Sequence, residues 1–238
     1  MRILLIDTCG EIGSVALADT HSEPAAISSA ILPGRSASER LLPAIRELAE
    51  KSRVPLRSLD AVAVVHGPGS FTGVRVGLSA AKGLCEALNL PLIAISRLAI
   101  LAHLADAPSL TVVRAFLDAG RGEFYSGVYL KGICLRESLL TRDEVLAPAA
   151  AFEPPQVVVC CESAVAESLT ALSPRLVAQP KAEDALPMTL LRIEQQVFDD
   201  VATLDANYLR RTDAEIFAKP SAAASSQPRS NQPETPVR

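Results

Sequence analysis

Two apolar runs, each closed by an aspartate, constrain this chain most. Ile3-Leu4-Leu5-Ile6-Asp7 leads through Gly10 and Gly13 into the apolar stretch Ser14–Ala18. Leu110–Leu117 ends in Asp118 and leads through Gly120-Arg121-Gly122 into Glu123–Leu130. Apolar runs broken by Gly turns predict hairpins. The first hairpin is followed by a weak strand in Ala25–Leu32 and then a helix, about Ser38–Lys51. In that helix Leu41, Leu42, Ile45 and Leu48 make one apolar face, and Ser38 suits an N-cap. Ala61–Val65 is a continuous apolar strand of the kind buried on both faces. A second helix at about Arg75–Leu88, a strand at Leu92–Ile95 and a helix at Arg97–Ala105 follow. The second half repeats this order with strands at Ile133–Leu139 and Val157–Cys161. Its helices are expected near Asp143–Ala147, at Ser163–Leu172 and at Met188–Val201. Two tandem β-β-β-α-β-α units predict a duplicated α/β architecture. The division expected is 1–107, 108–218 and a disordered tail at 219–238, where Ala, Ser, Gln and Pro show no periodicity.

Charge bounds the partners. The 238 residues carry a net charge of −4, and neither half is basic: residues 1–103 hold 10 basic and 9 acidic side chains. A protein that binds nucleic acid alone needs a basic surface to neutralise phosphates. Aromatic residues make up 4% and Trp is absent, so stacking platforms are scarce as well. If nucleic acid is involved, another chain must supply most of the contact. No apolar run approaches the ~20 residues of a membrane span, and Asp7 comes too early for a signal peptide. Five cysteines without a C-x-x-C pair suit a reducing compartment, and the adjacent Cys160 and Cys161 read as strand residues. A soluble cytoplasmic protein is expected.

Gly67-Pro68-Gly69-Ser70-Phe71-Thr72-Gly73 joins a strand to a helix, a place where unpaired N–H groups can cradle an anion. It fits none of the familiar loops. The spacing is one residue too long for G-x-G-x-x-G, Gly73 is followed by Val74-Arg75 rather than Lys-Ser/Thr, and Ser70 is not centred in G-x-S-x-G. A tight turn that needs glycine is the plainer reading. The helix beyond it is small or apolar over much of its circumference, through Gly77, Ala80, Ala81, Gly83, Leu84 and Leu88. Such a surface admits a second helix closely, from the chain's own sheet or from a partner.

The histidines, His21, His66 and His103, form no metal-binding spacing. Asp7 and Asp118 end equivalent strands, where α/β folds often place chemistry, and either could hold Mg²⁺ or cap a turn. No catalytic constellation emerges.

Several motifs occur together and in order. They are Ile3–Thr8, Ser38-Glu39-Arg40-Leu41-Leu42-Pro43, Gly67–Gly77, Ala81-Lys82-Gly83-Leu84, Asp118-Ala119 with Arg121–Tyr125, and Tyr208-Leu209-Arg210. Over about residues 2–218 the chain resembles the TsaB family, bacterial proteins of tRNA N6-threonylcarbamoyladenosine formation. The resemblance implies a tandem ribonuclease H-like fold of the actin, sugar-kinase and Hsp70 type. It implies a non-catalytic subunit that docks and activates TsaD. That paralogue transfers the threonylcarbamoyl group to the adenosine adjoining the anticodon in tRNAs reading ANN codons. The small ATPase TsaE joins the pair, tRNA is met indirectly, and the subunit alone can form a homodimer. The first two helices would supply the docking bundle, through Leu41, Leu42, Ile45, Leu48, Gly77, Ala80, Ala81, Leu84 and Leu88.

No catalytic, cofactor or metal residue is implied, although a nucleotide at the partner interface is compatible with the resemblance. Where the paralogue has a metal-binding H-x-x-x-H, this chain has Arg97 and Leu101, which cannot serve. Ala37, Gly120 and Cys9 depart from residues usual in the family. The competing reading is an ATP-dependent phosphotransferase or ATPase using Asp7 and Asp118.

Overall fold

A computed structural model describes residues 1–21, 25–32, 37–147 and 155–209. The tail expected at 219–238 lies outside the described residues, as does Arg210.

The first sheet is built from β1 (Arg2–Asp7), β2 (Gly13–Asp19), β3 (Ala26–Leu32), β4 (Ala61–Val65) and β5 (Leu92–Ile95), in the order β3-β2-β1-β4-β5. Its helices are α1 (Ala37–Lys51), α2 (Phe71–Leu88) and α3 (Arg97–Leu104). The second sheet comprises β6 (Val112–Gly120), β7 (Glu123–Leu130), β8 (Ile133–Thr141), β9 (Gln156–Cys160) and the two-residue β10 (Arg175–Leu176). Its order, β8-β7-β6-β9-β10, repeats the first strand for strand. In both, an antiparallel three-strand meander continues into parallel strands. Short helices α4 (Arg142–Leu146), α5 (Ser163–Ser168) and α6 (Leu186–Glu194) are the remaining α-helices among the described residues. The order, hydrogen bonding and connections make this a duplicated α/β fold of the ribonuclease H-like type.

β1 and β4 are the central strands. Ile3 to Ile6 and Ala61 to Val65 are all buried, as expected for strands covered on both faces. The two lobes then exchange elements. α3 packs on the second sheet, where Leu98 and Leu101 join Val113, Ala115, Leu117, Tyr129 and Val159. The segment after β10 crosses back, and Ala182, Ala185, Leu186 and Ala206 enter the first core. Residues 182–206 therefore pack with the first lobe, although they follow the second in sequence.

Three expected boundaries move for identifiable reasons. α1 begins at Ala37, so Ser38 lies inside its first turn and not at the N-cap. α2 begins at Phe71, a turn before Arg75, because Ser70 caps it: its hydroxyl accepts the Gly73 N–H at 3.3 Å. α6 ends at Glu194, well short of Val201. Beyond it the backbone turns through Gln196 at φ 56°, and Asp199 bridges to Leu92 on the edge of β5. The Asp199 carboxylate also accepts the Ala94 N–H at 2.7 Å and meets Arg192 at 3.0 Å. Val197 and Phe198 consequently lie exposed, so their apolar character is no sign of core. No helix among the described residues is long and apolar enough to cross a membrane.

Candidate functional site

The Gly-rich segment places α2 hard against the turn between β1 and β2. A Cβ added at Gly69 would overlap the Cys9 carbonyl; at Gly73, the Thr8 carbonyl; and at Gly77, the Thr8 hydroxyl. Hydrogen bonds seal the contact. The Ser70 N–H donates to the Cys9 carbonyl at 2.8 Å, and the Thr8 hydroxyl donates to the Gly73 carbonyl at 2.6 Å. The room these glycines open is thus filled by the chain's own backbone. This is the tight-turn reading, with close approach as its physical reason.

A cleft of about 970 Å³ separates the lobes. Thr8–Gly13, Ser70, Thr72 and Arg97 line it from one side, and Asp118, Tyr125, Glu162 and Gln179 from the other. The two aspartates of equivalent strands have diverged: Asp118 lines the cleft and Asp7 does not. Asp7 is buried, with its Oδ1 accepting the Cys9 N–H at 2.8 Å and its Oδ2 lying 3.9 Å from Arg97 Nε. Burial pushes its carboxyl up from the ordinary range, against the pull of the Arg97 cation. Asp118 is exposed and accepts the N–H of Gly120 at 2.9 Å, within a β-bulge. Beside it Glu162 accepts the Asp118 N–H at 2.8 Å, and burial pushes the Glu162 carboxyl up. Asp7 is therefore matched to a guanidinium and Asp118 to a turn, not to each other. Among the described residues no group of three or more His, Cys, Asp or Glu could hold a metal ion.

His66 is structural by its contacts. Its carbonyl accepts the Asn207 N–H at 2.8 Å, and burial lowers its imidazole pKa. Leu101 is fully buried in the second core. Cys160 and Cys161 are buried as expected of packed thiols, although Cys161 lies just past the end of β9.

The nine docking residues divide by exposure. Leu41, Ile45, Leu48, Gly77 and Ala81 are buried in the chain's own core, whereas Leu42 is 59% exposed and Ala80, Leu84 and Leu88 are half-buried. The outer stripe of α2 runs Phe71, Arg75, Ser79, Gly83, Ala87, all exposed and four residues apart. At Gly83 an added Cβ would meet nothing within 4 Å. A glycine in mid-helix costs roughly 0.5–1 kcal/mol relative to Ala, and nothing among the described residues requires one here.

At the N-terminal end of this stripe lies a cluster that helical periodicity gives no means of finding. The Arg75 guanidinium sits 3.6 Å from the Phe71 ring centroid and 5.5 Å from that of Tyr208. Its Nε donates to the Tyr208 hydroxyl at 2.6 Å. Tyr208 arrives from 133 residues away, so only its place in the Tyr208-Leu209-Arg210 motif hinted at a role. Its segment is held by Asn207, whose amide donates to Glu137 at 2.6 Å; Glu137 also accepts from Ser96 and Tyr129.

Comparison with known proteins adds to this geometry. Residues 31–149 match the family model of TsaD, tRNA N6-adenosine threonylcarbamoyltransferase. The tRNA threonylcarbamoyladenosine biosynthesis protein TsaB of Escherichia coli (strain K12) is 39% identical over 130 residues, 54% of this chain and 55% of that one. TsaB of Bacillus subtilis (strain 168) is 33% identical over 133 residues, with the same coverage of both. The matched region thus spans about half the length of these curated relatives. A crystal structure of an uncharacterized protein with similarity to peptidase YEAZ from Pseudomonas aeruginosa superposes with TM-score 0.72 at 30% identity. That superposition covers 88% of this chain and 99% of the other. Ordered motifs, sequence relatives and a fold matched over nearly the whole of a solved YeaZ-like chain agree, and the protein belongs to the TsaB (YeaZ) family.

Proposed function

We propose that this chain takes part in forming N6-threonylcarbamoyladenosine in tRNA, as a non-catalytic subunit that docks a TsaD-type transferase and holds it competent. The chemistry belongs to the partner. Asp7 lies buried 3.9 Å from Arg97 and the Gly-loop space is occupied by Thr8 and Cys9, which speaks against a phosphotransferase or ATPase that holds Mg²⁺ between Asp7 and Asp118.

The open Gly83 carries the docking reading. An exposed mid-helix glycine with empty space at its Cβ is explained by a second helix approaching the α2 stripe, with Ser79 and Ala87 beside it and Leu42, Ala80, Leu84 and Leu88 at the flanks. The partner is a chain of the same fold: TsaD in the working complex, a second copy when the protein is alone. A TsaE-type ATPase completes the assembly, in the cytoplasm. The test is to deplete the protein and quantify the modified nucleoside by mass spectrometry. Loss of the nucleoside is expected, and unchanged levels without a substitute would remove the proposal.

A further inference from the structure

The end of α1 is built on a residue that suits it poorly. The Val54 N–H donates to the Ala49 carbonyl at 2.9 Å and the Arg53 N–H to the Glu50 carbonyl at 3.1 Å. This pair of bonds is a helix stop whose turning residue is left-handed, a place glycine usually takes. Here it is Arg53, at φ 54°. The left-handed backbone crowds an L side chain, and strain of this kind collects where a side chain is needed for something other than folding. Among the described residues the Arg53 side chain has no hydrogen-bond or ion-pair partner, and neither has that of Arg57.

Both arginines line a groove of about 470 Å³, together with Arg46, Glu50 and the apolar Ala49, Val54, Pro55 and Leu56. Glu50 is the acidic side chain in that lining, and Arg46 already meets it at 2.9 Å. The groove is therefore positive on a chain whose net charge is −4. Its free cations are guanidinium forks, which match phosphate oxygens in pairs. Among the described residues no aromatic side chain and no side-chain amide lines it, so it has little with which to read bases.

We propose that the Arg46–Arg53–Arg57 groove grips the phosphate backbone of RNA, without regard to sequence. The inference rests on the proposed role in tRNA modification, which brings an RNA to the assembly. It adds a small anchoring contact on this chain to whatever surface the partner supplies.

The test is fluorescence anisotropy with an unmodified tRNA transcript, on the full chain alone and on its complex with the transferase. The variant is Arg53→Gly with Arg57→Gln. Glycine suits the left-handed position, so the thermal midpoint should not fall. RNA affinity at about 50 mM salt should drop about tenfold, and the slope of log affinity against log salt should shrink by about 1.5–2 for two lost phosphate contacts. Arg57→Gln alone, which leaves the helix stop untouched, should show about half the change in slope. Equal affinities and slopes for wild type and variants overturn the proposal. So does loss of a bound protein with RNA binding intact, because the groove would then serve an acidic polypeptide. The measurement on the chain alone does not depend on docking, so its outcome stands apart from that reading.

Discussion

Arg97 reaches from the start of α3 to within 3.9 Å of Asp7 at the end of β1, and both side chains are sealed from solvent at the base of the interlobe cleft. Among the described residues neither Arg97 Nε nor Asp7 Oδ2 has a hydrogen-bond partner. The Arg97 Nη2 also donates to Gln179 at 3.2 Å, which ties the first lobe to the segment returning from the second. Removing one member of such a pair strands the other charge. Arg97→Met should destabilise the fold by about 3–5 kcal/mol. Adding Asp7→Asn, which keeps an acceptor for the Cys9 N–H, should recover much of that loss. Urea unfolding of the two single variants and the double variant checks both statements.

The close approach of α2 to the β1–β2 turn gives a second expectation. Gly73→Ala drives a methyl group into the Thr8 carbonyl. Neither backbone can give way without breaking the bond from the Thr8 hydroxyl to the residue 73 carbonyl. A loss of about 1–3 kcal/mol or more is expected by urea unfolding.

Gly83 should behave oppositely. Gly83→Ala places a methyl group in open space, so the isolated chain should gain about 0.5–1 kcal/mol, while co-purification with the transferase weakens. Ala80→Arg and Leu84→Asp should abolish co-purification, because an unpaired charge buried in the contact costs several kcal/mol. Circular dichroism should show both folded. Persistence of the complex in both variants would place the interface elsewhere.

The raised Glu162 carboxyl fixes a sign for pH. The unfolded side chain releases its proton near its ordinary value of 4.5, whereas burial keeps the folded one protonated to higher pH. In that window the folded state binds more protons, so this group makes stability fall as pH rises. Glu162→Gln keeps an acceptor for the Asp118 N–H and removes the charge. Thermal scans should find the variant more stable than wild type at pH 7, with the difference vanishing below about pH 4.

Much of the fold was legible because its signals are local. The buried strand Ala61–Val65, the hairpins around Gly10 and Gly122, and the apolar face of α1 all follow from side-chain period and turn residues. What escaped depends on distant packing. Nothing near Val197 or Phe198 announces that Asp199 will pair with Leu92, so an apolar rhythm read as helix became an exposed turn and an edge bridge. The candidate site divides the same way. The helix pair was legible, but which leucines face the core and which face outward depends on where α1 lies on its sheet: Leu41 is buried and its neighbour Leu42 is not. Arg75 with Tyr208 joins residues 133 apart in sequence, and Arg53 at a helix stop shows itself only through its backbone angle.

The most direct measurement is complementation. Cells depleted of the protein would receive the wild-type chain, Leu84→Asp or Gly73→Ala, and the N6-threonylcarbamoyladenosine content of their tRNA would be measured by mass spectrometry. Restoration is expected with wild type and not with Leu84→Asp, although that variant accumulates as a folded chain. Full restoration by a Leu84→Asp chain that no longer co-purifies with the transferase would contradict the account.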